Sequence, residues 1–144
     1  LVSTSMKFLS TVANSVHHAL FADANVLQNM CEKIIAPNVQ LLSQDEELFD
    51  DNPFEFVRRD VEGSDTDTRR RVACDLVRAL CRNYETQVTN LFSGYIASLL
   101  SQAASSPSMW KAKDAAVYIC STYINTVQVS HMTVSTQSRD KYFR

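Results

Sequence analysis

Apolar residues recur along most of this chain at intervals of three and four, the spacing that gathers them on one face of an α-helix. Val2, Met6, Leu9, Val12, Ala13 and Val16 make a first stripe, followed by the polar pair His17 and His18. Asp23 stands where an N-cap is wanted ahead of a second stripe, Val26, Leu27, Met30, Cys31, Ile34 and Ile35. Pro37 lacks a backbone donor and crowds the preceding turn, so a kink is expected there, with Val39, Leu41 and Leu42 continuing the helix beyond it. Asp65 is the expected cap of a third helix, with Asp67 in its first turn and Val72, Ala73, Leu76, Val77, Leu80 and Cys81 facing inward. Thr86 is the expected cap of a fourth, with Val88, Leu91, Phe92, Tyr95, Ile96, Leu99 and Leu100. Gly94, costly inside a helix, predicts a close helix contact. Ser105-Ser106-Pro107 breaks the chain before a fifth helix over 108–127, carrying Trp110, Ala115, Ala116, Ile119, Cys120, Tyr123 and Ile124.

Between the second and third stripes the pattern changes. Asp45 to Asp51 is too acidic to pack alone, and Asn52-Pro53 has the form of an N-cap followed by proline at the first helical position. Phe54, Phe56, Val57 and Val61 suit a short helix docked on the body. The expected organisation is a helix pair over 1–42, an acidic insertion over 43–65, a second pair over 66–105, the first helix of a further repeat over 108–128, and a loop or disordered end over 129–144. The third and fifth helices start about 42 residues apart, and removing the insertion leaves the same step between the first and third. Two-helix units of about 40–47 residues are HEAT-type repeats. The fold class is therefore all-α, an α-α superhelix of antiparallel helix pairs.

Composition supports helices over strands. Only two glycines and three prolines punctuate 144 residues, of which 45% are apolar. No apolar run approaches a membrane span, so no membrane insertion is expected. The chain starts without Met and already in helical spacing, which reads as a piece of something longer or a first helix that has lost its neighbour. An isolated stretch of solenoid leaves both end faces apolar. The net charge of −2 hides an asymmetry: residues 45–67 hold ten of the sixteen acids and only Arg58 and Arg59 as bases, so that window carries −8 and the rest +6.

Candidate chemistry is thin. Cys31, Cys74, Cys81 and Cys120 form no CxxC pair and read as small buried hydrophobes in a reducing compartment. A cysteine nucleophile at Cys74 or Cys81 with a histidine is the weak enzymatic alternative. His17 and His18 are adjacent and cannot share a helix face, and His131 lies in the aperiodic end, so neither a metal site nor a catalytic histidine is expected. Gly63 and Gly94 stand alone and build no phosphate loop. No cofactor is expected, and basic residues form no stripe suited to nucleic acid. Charge remains. Asp45, Glu46, Glu47, Asp50 and Asp51 either keep the insertion solvated or offer an anionic surface to a basic partner. Arg58, Arg59, Asp65, Asp67, Arg69, Arg70 and Arg71 are either a solvated helix start, with Asp67 paired to Arg71, or a docking surface. In the second case the arginines fork the insertion's own acids or a partner's.

The stretches CEKIIAPN (31–38), DEELFDDNPFEFVRRDVEGSDTDTRRRVACDLVRALC (45–81), LFSGYIASLL (91–100) and WKAKDAAVYI (110–119) closely resemble the CAS exportin family, the importin-α re-exporters. The likeness runs over roughly residues 1–128 and fades from His131 onward. It implies a non-enzymatic karyopherin of HEAT repeats that binds the GTP form of Ran together with importin-α and returns importin-α to the cytoplasm. Shuttling between nucleus and cytoplasm and contact with nuclear pore FG repeats are further implications. Residues 43–65 match the family's acidic insertion, associated with a hinge and with Ran. A generic HEAT scaffold or adaptor without a transport role is the alternative.

Overall fold

A computed structural model describes residues 1–60 and 68–123. Every regular element among the described residues is helical. Helix α1 spans Val2–Ala13, and a 3-10 turn over His18–Phe21 leads into α2, Ala24–Asn29. Asp23 caps α2 as its position predicted, accepting the backbone N–H groups of Asn25 and Val26 at 2.9 and 3.1 Å. The helix then widens to a π-helical stretch, Met30–Ile35, before closing as α3, Ala36–Val39. A wider turn just ahead of Pro37 is one way to absorb a ring that would otherwise strike the preceding carbonyl. The path does not continue beyond it, because Gln40 and Leu42 are extended. Leu41 and Leu42 therefore lie outside the helix that their spacing predicted.

The acidic stretch is itself helical: α4 spans Ser43–Asp51 and α5 spans Pro53–Asp60. Asp45 makes α4 possible by reaching back to accept the Leu42 N–H at 2.8 Å. Asn52 ends α4 and opens α5, its side-chain oxygen accepting the Glu55 N–H at 3.1 Å, with Pro53 at the first position as expected. Among the described residues of this segment only Asp60 is buried, while Phe49 and Phe54 remain exposed.

Helix α6, Arg69–Ser105, is 37 residues long. Its cap is Thr68, whose hydroxyl accepts the Arg71 N–H, in place of the expected Asp65. Asp65 and Asp67 lie outside the described residues. Nor does Thr86 cap a separate fourth helix. The chain leaves helical geometry at Tyr84 alone, with φ −133° and ψ 32°, and resumes at once, so two arms are joined without a loop. The end of α1 holds this point. Asn83 donates to Ala13 O at 3.2 Å, and the Tyr84 hydroxyl donates to His18 O at 2.7 Å. A 3-10 turn, Pro107–Met109, precedes α7, which is helical over 110–123, where the described residues end.

Core and stripe agree closely in the middle of the chain. Val72, Ala73, Leu76, Val77, Leu80 and Cys81 are all buried, packed with Met6, Leu27, Ile35 and Val39 from the first pair. Helix α1 lies along α6. Tyr123 of α7 joins both arms of α6, receiving the Cys81 thiol at 3.8 Å and meeting the Phe92 ring edge-on at 6.1 Å between centroids. Ala112, Ala115 and Ala116 form a small-residue face of α7 that packs with Leu99. Gly94 corrects its expectation: it is exposed, and an added Cβ would meet nothing within 4 Å among the described residues. Val2, Phe8, Val16 and Leu20 stay exposed. Successive antiparallel helix pairs stacked along one apolar seam make a HEAT-type solenoid.

Candidate interaction surface

The insertion must be tied to the body by something other than its weakly buried aromatics. Two arginines at the start of α6 provide the tie. The last carbonyls of α3 have no partner within their own helix and carry the negative end of its dipole, so cations are favoured there. Arg69 donates to Pro37 O at 3.1 Å and Gln40 O at 2.6 Å, and its Nη2 also reaches Asp45 Oδ2 at 3.1 Å. Arg70 is buried and donates from Nε to Val39 O at 2.8 Å, from Nη1 to Asp60 Oδ2 at 2.8 Å, and from Nη2 to Asp114 Oδ2 at 2.6 Å. Its guanidinium lies 4.0 Å above the Tyr118 ring, and the Tyr118 hydroxyl donates to Asp60 O at 3.3 Å. One side chain therefore joins the end of α3, the end of α5, the start of α6 and the face of α7. Only a guanidinium, planar with five donors and a stackable face, could do this.

The electrostatics follow from depth. Burial raises the Asp60 carboxyl above its ordinary range; Arg70 opposes the shift, Asp114 and Asp45 add to it, and a hydrogen bond from Thr68 lowers it. Glu55 goes the other way: the hydrogen bond from Arg59, helped by Arg58, holds its carboxyl below its usual value. Burial and the neighbouring Asp60 push the Tyr118 hydroxyl upward. The thiols of Cys74 and Cys81 are raised by burial, and that of Cys31 is pushed up to about 12 by the same cause. A nucleophilic cysteine needs the opposite shift.

The charged residues singled out in sequence thus separate into two groups. Asp45 and Glu46 are engaged within the chain, by Arg69 and by Lys111 at 2.7 Å, and Arg69 and Arg70 are fully committed to the clamp. Arg58 and Arg59 both hold Glu55, at 3.0 and 2.6 Å. Arg71 is half-buried and shares in the Thr68 cap through its N–H. Glu47, Asp50 and Asp51 are exposed and make no ion pair among the described residues. Of the two destinations open to the arginines, their own chain's acids claim Arg69 and Arg70. Asp60, Lys111, Asp114 and Tyr118 complete the network and had not been singled out. Their only sequence signal is weak: Asp114 abuts Ala115 and Ala116 at the edge of an apolar stripe, where a charge must find a partner or be desolvated alone.

Comparison with known proteins places this geometry. The chain matches the family model described as Cse1 over residues 1–139. It is 50% identical over 130 residues to exportin-2 of Homo sapiens and of Xenopus laevis, and 51% identical over the same length to that of Oreochromis niloticus. Each alignment covers 89% of this chain and 13% of the relative, so the chain spans about an eighth of their length. A solved structure of the exportin Cse1 in its cargo-free, cytoplasmic state superposes with a TM-score of 0.78 at 41% identity, covering 84% of this chain and 13% of that one.

Proposed function

Because the chain belongs to the Cse1 (exportin-2) family, we propose that it is a segment of a nuclear export receptor that binds Ran in its GTP form together with importin-α and returns importin-α to the cytoplasm. Such a receptor shuttles between nucleus and cytoplasm and meets the FG repeats of the pore on the way. The segment's own part is to set the curvature of the solenoid. HEAT stacking is nearest-neighbour, so a small rotation between adjacent units accumulates into a large end-to-end displacement. A ligand bridging distant parts then selects the curvature it binds best.

The observation that supports this local role is Arg70, which bonds at once to α3, α5 and α7 and so fixes how consecutive units and the insertion sit together. Glu47, Asp50 and Asp51, which make no ion pair among the described residues, are left to face a partner, and the Arg58 side chain is 57% exposed. The test uses the full-length protein carrying this segment. Arg70→Ala is expected to change the affinity for importin-α in the presence of Ran-GTP by about tenfold or more, with a smaller change in its absence. Neutralising Asp45, Glu46, Glu47, Asp50 and Asp51 together should also alter it. Unchanged affinity in both variants would reduce clamp and acids to a structural role, and binding of neither ligand by the parent would leave a HEAT scaffold.

A further inference from the structure

Helices α4 and α7 leave an open groove of about 610 Å³ between them, which borders the Arg70 network and shares Asp114 with it. Three aromatic side chains line it: Phe49, Phe56 and Trp110. Phe49 and Phe56 meet edge-on at 5.6 Å, which fixes the floor, while Trp110 and Phe49 are each 50% exposed. Exposed aromatic surface gathered in one concavity is an interaction site by default, because such patches are costly to leave wet. The charge around it has one sign. Among the described residues five carboxylates line the groove and no base does; three are already held by Arg69, Lys111 and Arg70, which leaves Glu47 and Asp50 as negative charge with no ion pair among those residues.

We propose that this groove docks a basic amphipathic segment of another protein, an apolar anchor seated against Phe49 and Trp110 with lysines or arginines beside it. The charge complementarity carries the choice of occupant. Glu47 and Asp50 pair with the basic side chains, and the electron-rich face of Trp110 accepts a cation that misses them. An acidic or purely apolar segment would leave the rim carboxylates desolvated without a partner. The site stands whether or not the export reading does, since it needs only the groove.

The probe is a labelled helical peptide with leucines on one face and lysines flanking them, compared with the same peptide carrying glutamates in place of the lysines. Full-length protein should bind the lysine peptide at least about tenfold tighter, with affinity falling as salt rises. Trp110→Ala should weaken it about tenfold or more, and Trp110→Phe much less. Glu47→Gln with Asp50→Asn, both on exposed positions that leave folding intact, should weaken it and flatten the salt dependence. Equal binding of the two peptides, or unchanged affinity in the Glu47/Asp50 variant, overturns the proposal. Radical footprinting that finds Trp110 protected in the free protein assigns the groove to a neighbouring part of its own chain. Self-association abolished by Trp110→Ala assigns it to a second copy. Either result also overturns it.

Discussion

The apolar seam between α6 and the first helix pair and the arginine clamp at the head of α6 hold the same units together by opposite means. In the seam, Leu76, Leu80, Ile35 and Val39 are fully buried, and each contributes through area removed from water, which is non-directional. In the clamp, Arg70 is equally buried, yet its stability depends on every partner being in place. A seam tolerates volume-conserving change and degrades gradually. A clamp has one geometry, and removing one member leaves another charged in a low-dielectric site. The difference teaches where a solenoid can be flexible in amount and where it is fixed in kind.

The comparison breaks most visibly at Arg70. Arg70→Ala should destabilise the chain by about 3–5 kcal/mol in chemical denaturation, because Asp60 is left buried and Val39 O loses its donor. Arg70→Met combined with Asp60→Leu and Asp114→Ala removes the charges together and should recover most of that loss; failure to recover would mean that the arginine's packing, not its pairing, matters. Leu80→Ala in the seam should cost about 2–5 kcal/mol, and Leu80→Met under about 1.5 kcal/mol, a tolerance the clamp does not share. Asp23→Ala, which removes only the α2 cap, should cost about 1 kcal/mol. Glu47→Gln should fall within about 0.5 kcal/mol, as expected of an exposed acid that the fold does not use.

Acid titration sharpens the contrast through sign. The folded Asp60 carboxyl is raised above its unfolded value, so keeping it charged disfavours the fold at neutral pH. That penalty is relieved as pH falls through the raised value, and the stability of the native chain relative to an Asp60→Asn variant should increase on acidification. Glu55 is lowered, so its contribution is present above the unfolded carboxylate value and is lost as pH falls through the folded one. A Glu55→Gln variant should therefore converge with the native chain in acid. Unfolding midpoints measured between neutral pH and the carboxylate range separate the two.

Much of the seam was legible beforehand, because helical burial leaves a three-and-four spacing that no other structure shares. Stripe and core coincide from Val72 to Cys81, and Asp23 and Asn52 sit as caps because short polar side chains leave few other reasons for their placement. The boundaries that went astray are those where a long-range partner decides. Tyr84 interrupts α6 without a breaker residue, held through its own hydroxyl by His18 and through the neighbouring Asn83 by Ala13, more than sixty positions earlier. Gly94 suggested contact and faces open space, since the absence of a side chain does not say why it is absent. The acidic stretch looked too charged to pack alone, but α4 forms with its N-terminus capped by Asp45 and two of its acids, Asp45 and Glu46, answered by bases of the body. Arg69 and Arg70 stood out from composition, whereas Asp114 and Tyr118 did not. Their pairing spans 44 residues or more and leaves no local periodicity.

The direct test of the clamp is a double-mutant cycle on Arg70→Ala and Asp114→Ala, read by chemical denaturation. Arg70 Nη2 and Asp114 Oδ2 lie 2.6 Å apart and connect α6 to α7. A coupling of about 1 kcal/mol or more is predicted. Additivity within about 0.3–0.5 kcal/mol would show that the units are held by the apolar seam alone.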